Sequence, residues 1–183
     1  MAKFEKYFLA IVPEGDNQRL ITSLKENIKA EFDVKYALKS PAHVTLKMPF
    51  SYNERKEDRL IQQLQDFLNS KTGFEIKLEG IFSFGMRVIY IGVEQKQTLL
   101  DLQSSLLAFC KKELKLIEEL SDKNYHPHLT IAFKDFKKDQ MPNIIHLSRL
   151  AKISQRLDIV QICLLKRVDY QWVILKRLPI NSR

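Results

Sequence analysis

The 183-residue chain is poor in cysteine, glycine and histidine, with two, five and four of them. Two cysteines cannot build the disulfide framework of a small secreted domain. Cys110 and Cys163 sit among apolar neighbours, in LLAFCKK and VQICLLK, as reduced core thiols do, which fits a reducing cytosol. Long apolar runs are also missing. The first, YFLAIV, stops at Pro13 and Glu14 after six residues, short of the roughly 7–15 residues of a signal peptide's apolar segment. No stretch approaches the ~20 residues of a membrane span, so the chain is expected to stay in solution, with no membrane association. No segment rich in Pro, Gly and Ser interrupts it, so one compact unit over residues 1–183 is expected rather than domains on a flexible tether. Nor is there a run of five like charges, which argues against a nucleic-acid-binding tail.

What remains is an ordinary globular composition, 45% hydrophobic and 28% charged, with a formal net charge of +8. That charge admits RNA, nucleotides or acidic surfaces as partners and equally describes a protein with solvated basic faces.

Periodicity divides the chain into short strands and amphipathic helices. Tyr7–Val12 reads as a strand stopped by Pro13, Gly15 and Asp16. Leu20, Ile21, Leu24 and Ile28 mark one face of a helix, with Arg19, Lys25, Glu26 and Lys29 on its polar remainder. A strand over about residues 42–48 follows, then a helix on Leu60, Ile61, Leu64, Phe67 and Leu68, then a half-buried strand on Phe74, Ile76 and Leu78. RVIYIGV, residues 87–93, opens a second round of the same order. A helix follows on Leu99, Leu102, Leu106, Cys110 and Leu114, then a strand over 128–133 and a helix near 143–153. Apolar strands over 158–165 and 172–178, joined by KRVDYQ, close the chain as a hairpin. The half-chain repeat predicts an α+β fold of two similar lobes of antiparallel strands with outer helices around a central cleft, their junction at Phe84-Gly85-Met86-Arg87.

The repeat carries an echo. His43-Val44-Thr45-Leu46 and His128-Leu129-Thr130-Ile131 lie 85 residues apart. Strand side chains alternate, so each histidine shares a face with its threonine, roughly 6.5–7 Å away along the backbone, while the residues between point to the core. An imidazole beside a hydroxyl suits a phosphate. The hydroxyl donates to a non-bridging oxygen, and the imidazole reaches a bridging oxygen or an attacking water. One HxT means little, since it arises by chance and a strand histidine is commonly a structural hydrogen-bonding residue. Two at equivalent positions of a repeat point to a site between the lobes.

These motifs resemble those of the 2H phosphoesterase superfamily, over residues 7–180. PAHVTLKMPF, FSFGMRVIYIGV and HPHLTIAF are most similar to its bacterial RNA 2′,5′-ligase and 2′,3′-cyclic phosphodiesterase branch. The resemblance implies metal-independent, cofactor-free chemistry on a cyclic or 2′,5′-linked phosphodiester. His43 and His128 would be acid and base, and Thr45 and Thr130 the phosphate-binding residues. The expected partners are RNA ends or cyclic or 2′,5′-linked nucleotides, bound by a monomer with no obligate protein partner. The alternatives are a 2′,5′-oligoadenylate phosphodiesterase and a nucleotide- or RNA-binding module without turnover. Many members of the branch carry an arginine soon after the second motif, where this chain has Phe133 and then Lys134.

His126 precedes Pro127, which marks a strand's first residue and leaves the imidazole in the preceding loop at the rim. His146, alone in NIIHLSRL, is read as structural. Tyr125, Phe82, Phe84, Arg87 and Lys47 could stack a base or steer a phosphate, but Phe82 and Phe84 alternate as core residues do and single exposed tyrosines or lysines are common, so none is placed in the site.

Overall fold

The computed structural model describes residues 3–94 and 96–182. Its strands are β1 (Phe4–Ile11), β2 (Val44–Asn53), β3 (Phe74–Phe84), β4 (Val88–Val93), β5 (His128–Phe133), β6 (Ser154–Ile159), β7 (Gln161–Val168) and β8 (Gln171–Pro179). The helices are α1 (Gly15–Phe32), α2 (Glu57–Leu68), α3 (Gln97–Lys112), α4 (Leu120–Lys123) and α5 (Met141–Leu150). The strands form one antiparallel sheet in the order β6-β3-β4-β5-β2-β1-β7-β8.

That order is symmetric about its middle. β8-β7-β1-β2 mirrors β6-β3-β4-β5, and each histidine strand is the innermost of its half. Helix α1 carries the chain from β1 to its neighbour β2 as α3 and α4 carry it from β4 to β5. The halves are exchanged along the chain, however. β3 pairs with β4, and Phe84 opposes Val88, so the expected junction at residues 84–87 is the turn of a hairpin within one half. The stretch expected as a single strand over 158–165 divides at Val160. β6 ends on β3 at one edge, and β7 joins β1 in the other half. The closing hairpin forms as expected, around Asp169 and Tyr170, both in the left-handed region, as a two-residue turn between right-twisted strands requires.

The helices lie against one face of the sheet. There Ile21, Leu24 and Ile28 of α1, Leu60 and Leu64 of α2, Leu102 and Leu106 of α3, and Ile144 of α5 join Val44, Leu46, Leu129 and Ile131 in the main core. Phe8, Ala10, Val12, Cys163 and Leu165 form a smaller cluster on the other face, under Trp172 and Ile174.

Two lysines read as surface residues are buried. Lys25 leaves the polar side of α1 and donates to the carbonyls of Ala37 at 3.0 Å and Ser40 at 3.4 Å, tying the helix to the turn before His43. Lys47 turns inward because bulges in β2 break the strand alternation on either side of it. Its ammonium is fully buried against Asp122 at 2.5 Å. Asp122 also accepts from the backbone of Met48 at 2.7 Å and Glu119 at 2.9 Å, closing a capping box on α4. The pair therefore fastens the segment leading to HPHLTIAF onto the first histidine strand.

Removing one partner of a buried pair strands the other's charge, which costs about 3–5 kcal/mol, whereas apolar replacement of both is near neutral. Asp122→Ala is expected to lose about that much in urea unfolding. Lys47→Met with Asp122→Leu is expected to recover only part of it, because the Met48 and Glu119 amides still lose their acceptor.

Candidate active site

The two histidine strands pair in register at Val44 opposite Leu129. Both of those side chains are fully buried in the main core. Alternation therefore turns His43, Thr45, His128 and Thr130 to the face away from the helices. Antiparallel register carried one residue either way sets His43 beside Thr130 and Thr45 beside His128. In a regular ladder such directly opposed residues have Cβ atoms about 4.5–5.5 Å apart. The register thus points the four expected site residues to one face of the sheet, on either side of the Val44–Leu129 pair.

Each ring is held the same way. His43 Nδ1 lies 2.8 Å from the Pro41 carbonyl, and His128 Nδ1 lies 2.7 Å from the His126 carbonyl, in both cases two residues upstream. A carbonyl only accepts, so Nδ1 bears the proton in each neutral ring and Nε2 presents its lone pair to the site. Phe8 backs His43 with ring centroids 4.9 Å apart, and Trp172 meets Phe8 edge-on at 4.7 Å.

Burial favours the neutral imidazole. It holds His43 down at about 4, against the opposing effect of the Pro41 carbonyl, and nearby Lys25 and His128 push the same way. His128 is lowered from its ordinary value by burial, with His126 adding to the effect and its carbonyl opposing it. An anion placed between the rings reverses this balance, because it stabilises the charged imidazole.

The second half supplies aromatic surface that the strand alternation hid. Phe74, Ile76 and Leu78 point to the core, but a bulge at Gly80 shifts the phase, so that Ile81 is buried and Phe82 and Phe84 emerge on the site face. Their reading as core residues is thus corrected. Phe84 stacks on Tyr90 with centroids 4.2 Å apart and meets His126 and His128 edge-on at 5.2 and 5.0 Å. Phe82 lies over Gly80 and Gly92, where an added Cβ would stand 2.8 and 2.7 Å from its ring.

His126 is an exposed rim residue. Its Nε2 is 3.4 Å from the Tyr90 hydroxyl, and its carbonyl orients His128. His146 is exposed on α5. Lys47 is engaged by Asp122 away from the patch. Lys134 holds its ammonium 4.7 Å from the Phe133 ring centroid and 5.6 Å from that of Tyr36. Asp135 accepts from the backbone of Lys35 and Tyr36, fastening this post-motif loop to the turn before His43. Among the described residues no three His, Cys, Asp or Glu side chains converge as a metal-binding group. Two Nε2 atoms and two hydroxyls around one patch can grip a tetrahedral anion and move protons on opposite sides of it.

A family model described as the 2′-5′ RNA ligase superfamily matches residues 12–171. An RNA 2′,3′-cyclic phosphodiesterase of Methanothermobacter thermautotrophicus is 30% identical over 131 residues, 68% of each chain. Escherichia coli LigT in its apo form has the same fold, with a TM-score of 0.66 at 15% identity over 98% of this chain and 99% of that one. TT0787 of Thermus thermophilus gives 0.66 at 13% identity, over 97% and 99%. With its paired HxT strands and matched over most of its length, the chain belongs to the 2′-5′ RNA ligase superfamily, the two-histidine phosphoesterases.

Proposed function

We propose that this protein hydrolyses 2′,3′-cyclic phosphates on nucleotides or RNA ends, using His43 and His128 as its acid and base and no metal. The observation that carries this reading is the matched pair of carbonyl-bound imidazoles flanking the Val44–Leu129 contact. The Methanothermobacter relative, an RNA 2′,3′-cyclic phosphodiesterase, supports the same substrate.

The phosphate sits between the two Nε2 atoms. One neutral imidazole takes a proton from water as its oxygen bonds to phosphorus. The bond from phosphorus to one ribose oxygen breaks, and the protonated imidazole delivers its proton to that oxygen, leaving a phosphomonoester beside a free hydroxyl. Thr45 and Thr130 donate to the non-bridging oxygens, where positioned donors act on the charge that develops in the transition state. An RNA 5′-hydroxyl in place of water gives 2′,5′-ligation by the same proton transfers, in keeping with the family's name. The protein works as a monomer on RNA ends, and its two buried free cysteines suit a reducing cytosol.

His43→Ala and His128→Ala are each expected to cost on the order of 10²–10⁴ in turnover of a 2′,3′-cyclic nucleotide. The double variant should lose far less than the product, because the pair acts as a unit. Activity is expected to persist in EDTA. Full activity in either alanine variant, or activity abolished by the chelator, would overturn the reading.

A pH profile provides a second check. kcat/KM reports the free enzyme, and a pair needing one neutral and one charged ring gives a bell centred between its two values. Both histidines are lowered from the ordinary value of about 6.5. The kcat/KM maximum is therefore expected on the acid side of 6.5. The kcat maximum should lie at higher pH, because bound phosphate raises both rings. Coincident maxima above pH 7 would contradict the assignment.

A further inference from the structure

We infer that the exposed end of β3 and the pocket beyond it form a second nucleotide subsite, so that the preferred substrate is the end of an RNA strand and not a free cyclic mononucleotide. The inference rests on the hydrolytic reading above and names the substrate class within it.

Phe84 and Phe82 stand on the same face beside His128, and Phe82 is 52% exposed. Contiguous aromatic surface left in water marks a binding surface. This one is built: Phe84 is held by Tyr90, and Phe82 rests on two glycines that leave room for its ring. Residues two apart on a strand are about 6.5–7 Å from each other. That spacing suits successive bases of an extended single strand better than those of a helix rising 3.4 Å per base. Aromatic rings offered in this way stack bases with little regard to sequence.

Beyond Phe82 the surface changes character. β6 pairs with β3 only as far as Glu79 opposite Ser154, so the edge of β3 from Gly80 onward is released from that partner. A depression of about 310 Å³ opens there, lined by Phe82 and Ile81 on the sheet and by Arg149, Lys152 and Ile153 at the end of α5. Arg149 and Lys152 are exposed, and neither has a carboxylate partner among the described residues. An aromatic ring leading to two unpaired cations is complementary to a base followed by a phosphodiester.

With the cyclic phosphate between the histidines, the terminal base stacks on Phe84. The strand then runs along β3, the penultimate base covers Phe82, and the phosphate on that nucleotide's 5′ side reaches Arg149 and Lys152. A mononucleotide lacks both the second base and that phosphate.

The test compares kcat/KM for a cyclic-phosphate-ended RNA tetramer with that for a 2′,3′-cyclic mononucleotide. The wild-type ratio is expected to exceed ten, and to fall at least tenfold in Arg149→Gln/Lys152→Gln and in Phe82→Ser. A wild-type ratio near one, or a ratio unmoved by both variants while both substrates turn over, overturns the subsite and leaves the hydrolytic reading standing. If neither substrate turns over, that reading has failed. Fluorescence anisotropy of a labelled 3′-phosphate-ended tetramer then decides the subsite alone. A Kd weakened at least tenfold in Arg149→Gln/Lys152→Gln supports it, and an unchanged Kd refutes it.

Discussion

Everything at the site depends on the contact between Val44 and Leu129, the register pair through which β2 and β5 join the two halves of the sheet. It is a hydrophobic pin, because both side chains are fully buried in the core beneath the sheet. Strand alternation then leaves the neighbouring histidines and threonines no choice but the opposite face. The two halves of the sheet are otherwise self-contained ladders of four strands, so this seam decides how far apart the imidazoles stand. The buried Lys47–Asp122 pair acts on the same seam from below. It joins β2 to the segment that delivers His126 and Pro127, and so governs the approach to the second motif.

The symmetry of the two halves extends to single atoms. In both motifs the carbonyl two residues before the histidine takes the Nδ1 hydrogen, so the chain dictates the tautomer without spending a carboxylate on it. Burial keeps the rings neutral until an anion arrives, which couples substrate binding to proton uptake. The surroundings of the two rings differ. Phe8 and Trp172 enclose His43, whereas Phe84, Tyr90 and His126 surround His128 with exposed aromatic surface. The pseudo-symmetric histidine pair thus lies in asymmetric surroundings.

The histidine strands were legible in the sequence because period-two alternation and the echo between His43-Val44-Thr45 and His128-Leu129-Thr130 are local signals. The helices and the closing hairpin were legible for the same reason. What stayed hidden was non-local or broke the period. The bulge at Gly80 adds one residue to β3, and the phase reversal that exposes Phe82 and Phe84 is invisible to a pattern that assumes no bulge. Lys25 and Lys47 were placed on the surface by residue type, yet each is buried against partners distant in the chain, Ala37 and Ser40 for one and Asp122 for the other. The break at Val160 sends β6 and β7 to opposite halves of the sheet, a matter of topology that a continuous apolar run over 158–165 does not encode.

The central claim is that one phosphate group is held between His43 and His128 with Thr45 and Thr130 on its oxygens. A crystal structure of the protein with a 3′-nucleotide tests this most directly. The account predicts the phosphate on the β2–β5 seam, with both Nε2 atoms and both threonine hydroxyls within hydrogen-bonding distance of its oxygens, at about 2.5–3.2 Å. A phosphate bound away from the seam, or one contacted by only one of the two motifs, would contradict it.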